Sequence, residues 1–168
     1  MSSDRIIPET PLEYKIAKIL IHHGLTVTTA ESCTGGLVAG TLVNADGISA
    51  SFKEGFITYS NEAKVRSLGV NEKTLLNMGA VSRECALEMA EGAARAAGAD
   101  AAIATTGIAG PGGGTAEKPV GLVYIGCSVK GNTIVKRCFF GGDREAIRRA
   151  ATREALELLY CQLLHYAC

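Results

Sequence analysis

The chain has 168 residues, 17 basic and 17 acidic side chains, a formal net charge of zero and 47% hydrophobic residues. That length suits one domain burying roughly two-thirds of its unfolded surface, and balanced charge without a basic stripe argues against a nucleic-acid partner. No run approaches the roughly 18 apolar residues of a membrane span. The start MSSDRIIPETPLEYK lacks the basic-then-apolar order of a secretory signal, so a cytoplasmic protein is expected. Thiols stay reduced in that compartment. Six cysteines are therefore read as free, with Cys85, Cys127 and Cys138 as small core hydrophobes. There is no CxxC pair, and with only His22, His23 and His165 available a zinc site has little support.

In chain order, Pro11 to His23 carries Leu12, Ile16, Ile19 and Leu20 at helical spacing and is closed by Gly24. Thr26 to Ala30 reads as a strand, and Leu37 to Val43 as a helix. Gly55 to Ser60 reads as a second strand with a helix starting near Ser60 or Asn61. Asn71 and Ser82 look like helix N-caps. The helix after Ser82 aligns Ala86, Met89, Ala90, Ala93 and Ala97, small side chains suited to close packing on a sheet. Ala101 to Thr105 is a buried-type strand. Leu122 to Val129 and Thr133 to Phe140 form a hairpin around Gly131-Asn132. A long helix follows from Asp143, its arginines interleaved with Glu145, Glu154 and Glu157 as on a solvated face. Alternating helices and strands with a final hairpin predict an α/β fold: a three-layer α/β/α sandwich around a mixed sheet of about five strands. The apolar C-terminal helix suggests a homo-oligomer.

Three segments rich in glycine and hydroxyl groups, TAESCTGG, GFITYSNEAK and TGIAGPGGGTAEKPVG, each follow a predicted strand. Loops at the carboxyl ends of parallel strands build the ligand crevice of an α/β sheet, so these three should converge if their strands are parallel. In the first, Ser32 and Cys33 are both potential nucleophiles at a helix start. That position favours an anion and lowers a thiol pKa, but a plain capping role fits the spacing equally well. In the second, Lys64 is either a surface lysine or, if buried and neutral, the base that a serine needs in a chain so poor in histidine. The third is neither a P-loop nor a dinucleotide fingerprint, and the chain has no GxSxG elbow. A loop of that length is more often functional than idle.

Together these segments, with GAVS and GDREAIRRAA in the same order, resemble the CinA C-terminal domain family over about residues 10–160. Its stand-alone members are nicotinamide-nucleotide amidases, and this chain looks like that form. The resemblance implies an α/β/α sandwich and hydrolysis of the carboxamide of nicotinamide mononucleotide, without metal or other cofactor. It implies Ser32 as nucleophile and Lys64 as base, with Tyr59 and Ser49 relaying a proton or orienting the amide. It puts Glu31, Thr34, Gly35 and Gly36 of the first segment at the substrate. Thr105, Thr106, Gly107, Gly110, Gly112 and Gly113 of the third join them, with Arg148 near the ligand ahead of Arg144 and Arg149. The chain has Ile48 where many relatives carry a second serine, leaving Ser49 alone there. Two other readings stand beside this one: Cys33 as nucleophile, and a nucleotide-binding or competence-associated interaction module without turnover.

Overall fold

The computed structural model describes residues 10–167. Five strands form one sheet in the order β2-β1-β3-β4-β5. Strands β1 (Val27–Glu31), β2 (Phe52–Ile57) and β3 (Ala101–Gly107) are mutually parallel, while β4 (Leu122–Val129) and β5 (Asn132–Phe139) are the antiparallel hairpin. Helices α1 (Leu12–His22), α2 (Leu37–Leu42) and α6 (Arg144–Ala167) cover one face. Helices α3 (Asn61–Leu68), α4 (Glu72–Asn77) and α5 (Arg83–Ala97) cover the other. The expected α/β/α sandwich with a mixed five-stranded sheet is thus the observed fold.

Side-chain alternation in β3 explains how one strand serves both layers. Ala101 and Ile103 join the core beneath α1 and α6, whereas Ala102 and Ala104 join the core beneath α5. Strand residues alternate faces, so a strand buried on both sides reads as a continuous apolar run. On the α5 side the small residues set the spacing: a Cβ on Gly126 of β4 would lie 2.3 Å from the Ala86 carbonyl. Ser60, Asn71 and Ser82 cap α3, α4 and α5, their side chains accepting from the amides of Ala63, Lys73 and Cys85. Such caps contribute about 1 kcal/mol each.

Strand β2 begins three residues before the expected Gly55 and ends at Ile57. Lys53 and Glu54 are exposed because β2 is an edge strand whose outward positions are solvated, so apolar alternation is not required there. The parallel register places Glu31 opposite Ile57 and Thr105, so the loops after β1, β2 and β3 leave the sheet side by side. Their expected convergence follows. Among the described residues no helix is long and apolar enough to cross a membrane.

Candidate active site

The turn after β1 is built around a buried acid. Glu31 is fully buried, and its carboxylate accepts from the Thr34 hydroxyl at 2.6 Å and from the amides of Gly36, Val38 and Ala39 at 2.8–3.1 Å. The orphan N–H groups at the start of α2 therefore already hold an anion, the protein's own. This corrects two expectations: those amides do not face a substrate anion, and Glu31 shapes the turn rather than touching a ligand. Gly35 and Gly36 permit the shape, with φ of 61° and 98° in the left-handed region. Thr34 gives its only proton to Glu31, so it accepts from the Thr105 hydroxyl at 2.7 Å. Both threonines are buried, which makes Thr34 and Thr105 a strut between β3 and the turn rather than substrate contacts.

This rigid turn presents Ser32. Lys64, on the second turn of α3, is only 1% exposed, and its Nζ lies 3.0 Å from Ser32 Oγ and 2.7 Å from the Thr58 carbonyl. Its burial depends on α3 lying hard against α5. A Cβ on Gly92 would fall 2.0 Å from the Leu68 carbonyl, so only glycine permits that approach. Burial lowers the Lys64 pKa below its ordinary 10.5. Nζ donates to the Thr58 carbonyl and to Ser32 Oγ. Once neutral, the amine can keep the bond to Thr58 and turn its lone pair to the Ser32 hydroxyl at the same distance. No relay is needed between them.

Cys33 has the opposite fate. It is buried in the core under α2, and burial pushes its thiol pKa up to about 11. Against the expectation for a helix start, desolvation outweighs the lowering by the Cys33 backbone amide and the Thr105 hydroxyl, and Glu31, which closes the helix start, adds to the rise. Both residues line the cleft, but only Ser32 has a base beside its nucleophilic atom, while the Cys33 thiol is buried and held protonated.

Ser49 does not join the site. It lies in the short 3₁₀ turn Ile48–Ala50 before β2, at the opposite end of the strand from Thr58, and its carbonyl accepts from Lys53 Nζ. A relay role between Ser32 and Lys64 is ruled out within this chain by the length of β2. Tyr59 does border the cleft, but its hydroxyl accepts from Arg144 Nη2 at 2.9 Å rather than meeting Ser32 or Lys64.

Of the three candidate arginines, it is Arg144 rather than the favoured Arg148 that reaches the cleft. Arg148 donates from Nε to the Cys33 carbonyl at 3.1 Å and from Nη2 to the Thr34 carbonyl at 2.8 Å, behind the nucleophile turn. Arg144, one turn earlier on α6, borders the cleft and donates to the Gly110 carbonyl and to Tyr59. Arg149 pairs with Glu145 on the outer surface.

The cleft has a volume of about 280 Å³, close to the lower end of the roughly 300–1,000 Å³ usual for small-molecule sites. Its walls bring together Ser32, Lys64, Tyr59, Thr106 and Arg144 with the expected Gly107, Gly110, Gly112 and Gly113. Thr106 donates to the Ala80 carbonyl. Asn61, Ala80 and Val81 were not singled out by the sequence, although they sit within GFITYSNEAK and GAVS. The walls contain no Asp or Glu, so the positive charge of Arg144 has no acid beside it there. Larger hollows of about 490 and 560 Å³ lie among α1, α2 and α6 and beside α3 and α4, but neither contains Ser32 or Lys64. The chemistry selects the smaller cavity. Among the described residues no group of three or more His, Cys, Asp or Glu is placed to hold a metal ion.

Fold and site together define an α/β/α protein whose cleft, at the carboxyl edge of its parallel strands, holds a buried lysine against a serine. The model of the CinA C-terminal domain matches residues 9–163. A CinA-like protein of Kosmotoga olearia is 54% identical over 158 residues, 94% of this chain and 38% of that protein. A relative from Clostridioides difficile (strain 630), named provisionally as a competence-damage inducible protein, is 54% identical over 155 residues, 92% of this chain and 37% of its own length. Among solved structures, the CinA superfamily protein KP700603 of Klebsiella pneumoniae has a TM-score of 0.88 at 41% identity, covering 92% of this chain and 96% of that one. The competence/damage inducible protein CihA of Agrobacterium tumefaciens has a TM-score of 0.84 at 47% identity, covering 90% and 96%. The chain belongs to the CinA C-terminal domain family. It spans a little over a third of the curated relatives' length.

Proposed function

We propose that the chain is a nicotinamide-nucleotide amidase, hydrolysing the carboxamide of nicotinamide mononucleotide to nicotinic acid mononucleotide and ammonia. The observation that carries this reading is the 3.0 Å contact between Ser32 Oγ and the buried, pKa-lowered Lys64 Nζ. A serine becomes a useful nucleophile beside a base, and a lysine whose pKa is lowered by burial is the candidate base here.

Neutral Lys64 takes the Ser32 proton as Oγ bonds to the amide carbon, and the carbonyl π pair moves onto its oxygen. The amide of Cys33, directly after the nucleophile, is suited to hold that oxyanion. Collapse re-forms the carbonyl and breaks the C–N bond, while protonated Lys64 gives its proton to the leaving nitrogen. Ammonia departs and an ester on Ser32 remains. Water then attacks the ester, Lys64 takes the water proton, and its return to Ser32 Oγ releases the carboxylate. Arg144, with no acid beside it in the cleft, and the amides of the glycine loop suit the remote 5′-phosphate. That anchor would orient the ring for attack.

Incubation with nicotinamide mononucleotide and assay of ammonia tests the reading. Wild type is expected to turn over, with Ser32→Ala and Lys64→Ala each losing about 10³-fold or more. No ammonia from wild type refutes the amidase reading, and full activity in Lys64→Ala refutes the base assignment alone.

A further inference from the structure

We propose that Arg148 is a positioning residue, holding the turn after Ser32 so that the Cys33 amide is aimed at the oxyanion, and that it does not bind the substrate phosphate. The inference rests on the hydrolytic reading of Ser32.

In a trans peptide the carbonyl and the following N–H point in opposite directions. Arg148 Nε fixes the Cys33 carbonyl, and so turns the Thr34 N–H away from α6. Arg148 Nη2 fixes the Thr34 carbonyl, and so the Gly35 N–H, which donates to the Ser32 carbonyl at 3.1 Å. That last bond in turn directs the Cys33 N–H away from the Ser32 carbonyl. One planar guanidinium therefore sets two consecutive peptide planes directly and a third through Gly35. A Cβ on Gly35 would lie 3.4 Å from Arg148 Nη2, so the turn follows the guanidinium closely.

The amides so directed have no oxygen acceptor, and the Cys33 amide has only its own thiol beside it. Within the turn, Gly36 donates to Glu31, Gly35 to Ser32 and Ser32 to Thr105. No oxygen of the described residues accepts from the Cys33 or Thr34 amides. Of these two residues, Cys33 lines the cleft beside Ser32. Glu31 grips the turn from the α2 side and Arg148 from the α6 side, which holds the donors before substrate arrives. Preorganised donors of this kind act on the transition state without reorganising during reaction. Both guanidinium contacts are to carbonyls behind the turn, and Arg148 does not border the cleft.

The experiment compares Arg148→Met, Arg148→Lys and Arg144→Met on nicotinamide mononucleotide and on its phosphate-free riboside. Alongside, it measures Ser32 labelling by an uncharged fluorophosphonate. In labelling, Ser32 Oγ bonds to phosphorus, fluoride leaves, Lys64 takes the proton, and the phosphoryl oxygen occupies the oxyanion position.

Arg148→Met is expected to lower kcat by about 10–100-fold with KM nearly unchanged, by the same factor on both substrates, and to slow labelling equally. Arg148→Lys, able to hold one carbonyl, should fall between, and added guanidinium ion should partly restore Arg148→Met. Arg144→Met should instead raise KM for the phosphorylated substrate alone. An Arg148→Met effect confined to KM of the phosphorylated substrate, or an unchanged labelling rate, overturns the inference. So does a wild type that is not labelled at Ser32. A wild type that is labelled but releases no ammonia sinks the amidase reading instead, and the labelling rates then decide Arg148.

Discussion

Two lysines at opposite edges of the sheet show how the same side chain is set to different work. Where β1 and β3 begin, Lys130 lies in the open with its Nζ 2.6 Å from Asp100 Oδ1, and the same carboxylate accepts from the amide and hydroxyl of Thr26. That pairing raises the Lys130 pKa and lowers that of Asp100. Where β1 and β3 end, Lys64 is buried with a hydroxyl and a carbonyl as partners and no carboxylate bonded to it. A carboxylate makes an ammonium permanent, whereas burial without one makes an amine available. A lysine's neighbours, rather than its presence, decide whether it works as a charge or as a base.

The largest effect that should separate the two edges is catalytic. Beside the roughly 10³-fold loss expected for Lys64→Ala, Lys130→Ala should release ammonia within about twofold of wild type, since its contacts stabilise only the far edge. Comparable losses in both variants would break the distinction.

A smaller effect is expected at Cys33. Its thiol is protonated up to a pKa of about 11 and turned into the core, so Cys33→Ala should keep activity within about threefold. Loss in Cys33→Ala with activity retained in Ser32→Ala would reverse the nucleophile assignment.

The smallest effect is on stability against pH. With its folded pKa below 10.5, Lys64 carries its full burial cost at low pH, where both folded and unfolded states are protonated. Between the folded pKa and 10.5 the unfolded chain binds more protons, so stability rises with pH across that window. Denaturant melts should therefore show wild type gaining on Lys64→Met as pH rises, with no further gain above 10.5. Asp100 has the opposite window: its depressed pKa gives wild type an advantage over Asp100→Asn above about pH 4 that fades as pH falls further.

The sequence made the sheet, the N-caps and the convergence of three loops legible, because each has a local cause: alternation, a capping side chain, a strand followed by glycine. What it hid depends on packing between distant segments. Lys64 reads as a surface residue on α3 until Gly92, 28 positions later, lets α5 close over it. Arg144 and Arg148 are four residues apart and share a helix face, so spacing alone cannot rank them. The single turn between them, about 6 Å along the axis, puts one at the cleft and the other behind the nucleophile. Ser49 belongs to the recurring pattern in sequence, yet β2 carries it to the far edge of the sheet. The resemblance puts Glu31 at the substrate, and nothing in TAESCTGG reveals that its carboxylate turns back onto α2.

The central claim is that Lys64 is an amine poised to take the Ser32 proton, and titration of its ¹⁵N-labelled Nζ by NMR tests it most directly, the signal being assigned by its loss in Lys64→Arg. The resonance should titrate with a pKa below 10.5, while the Lys130 signal titrates above it. A Lys64 signal that titrates at or above 10.5 would contradict the assignment of this residue as the base.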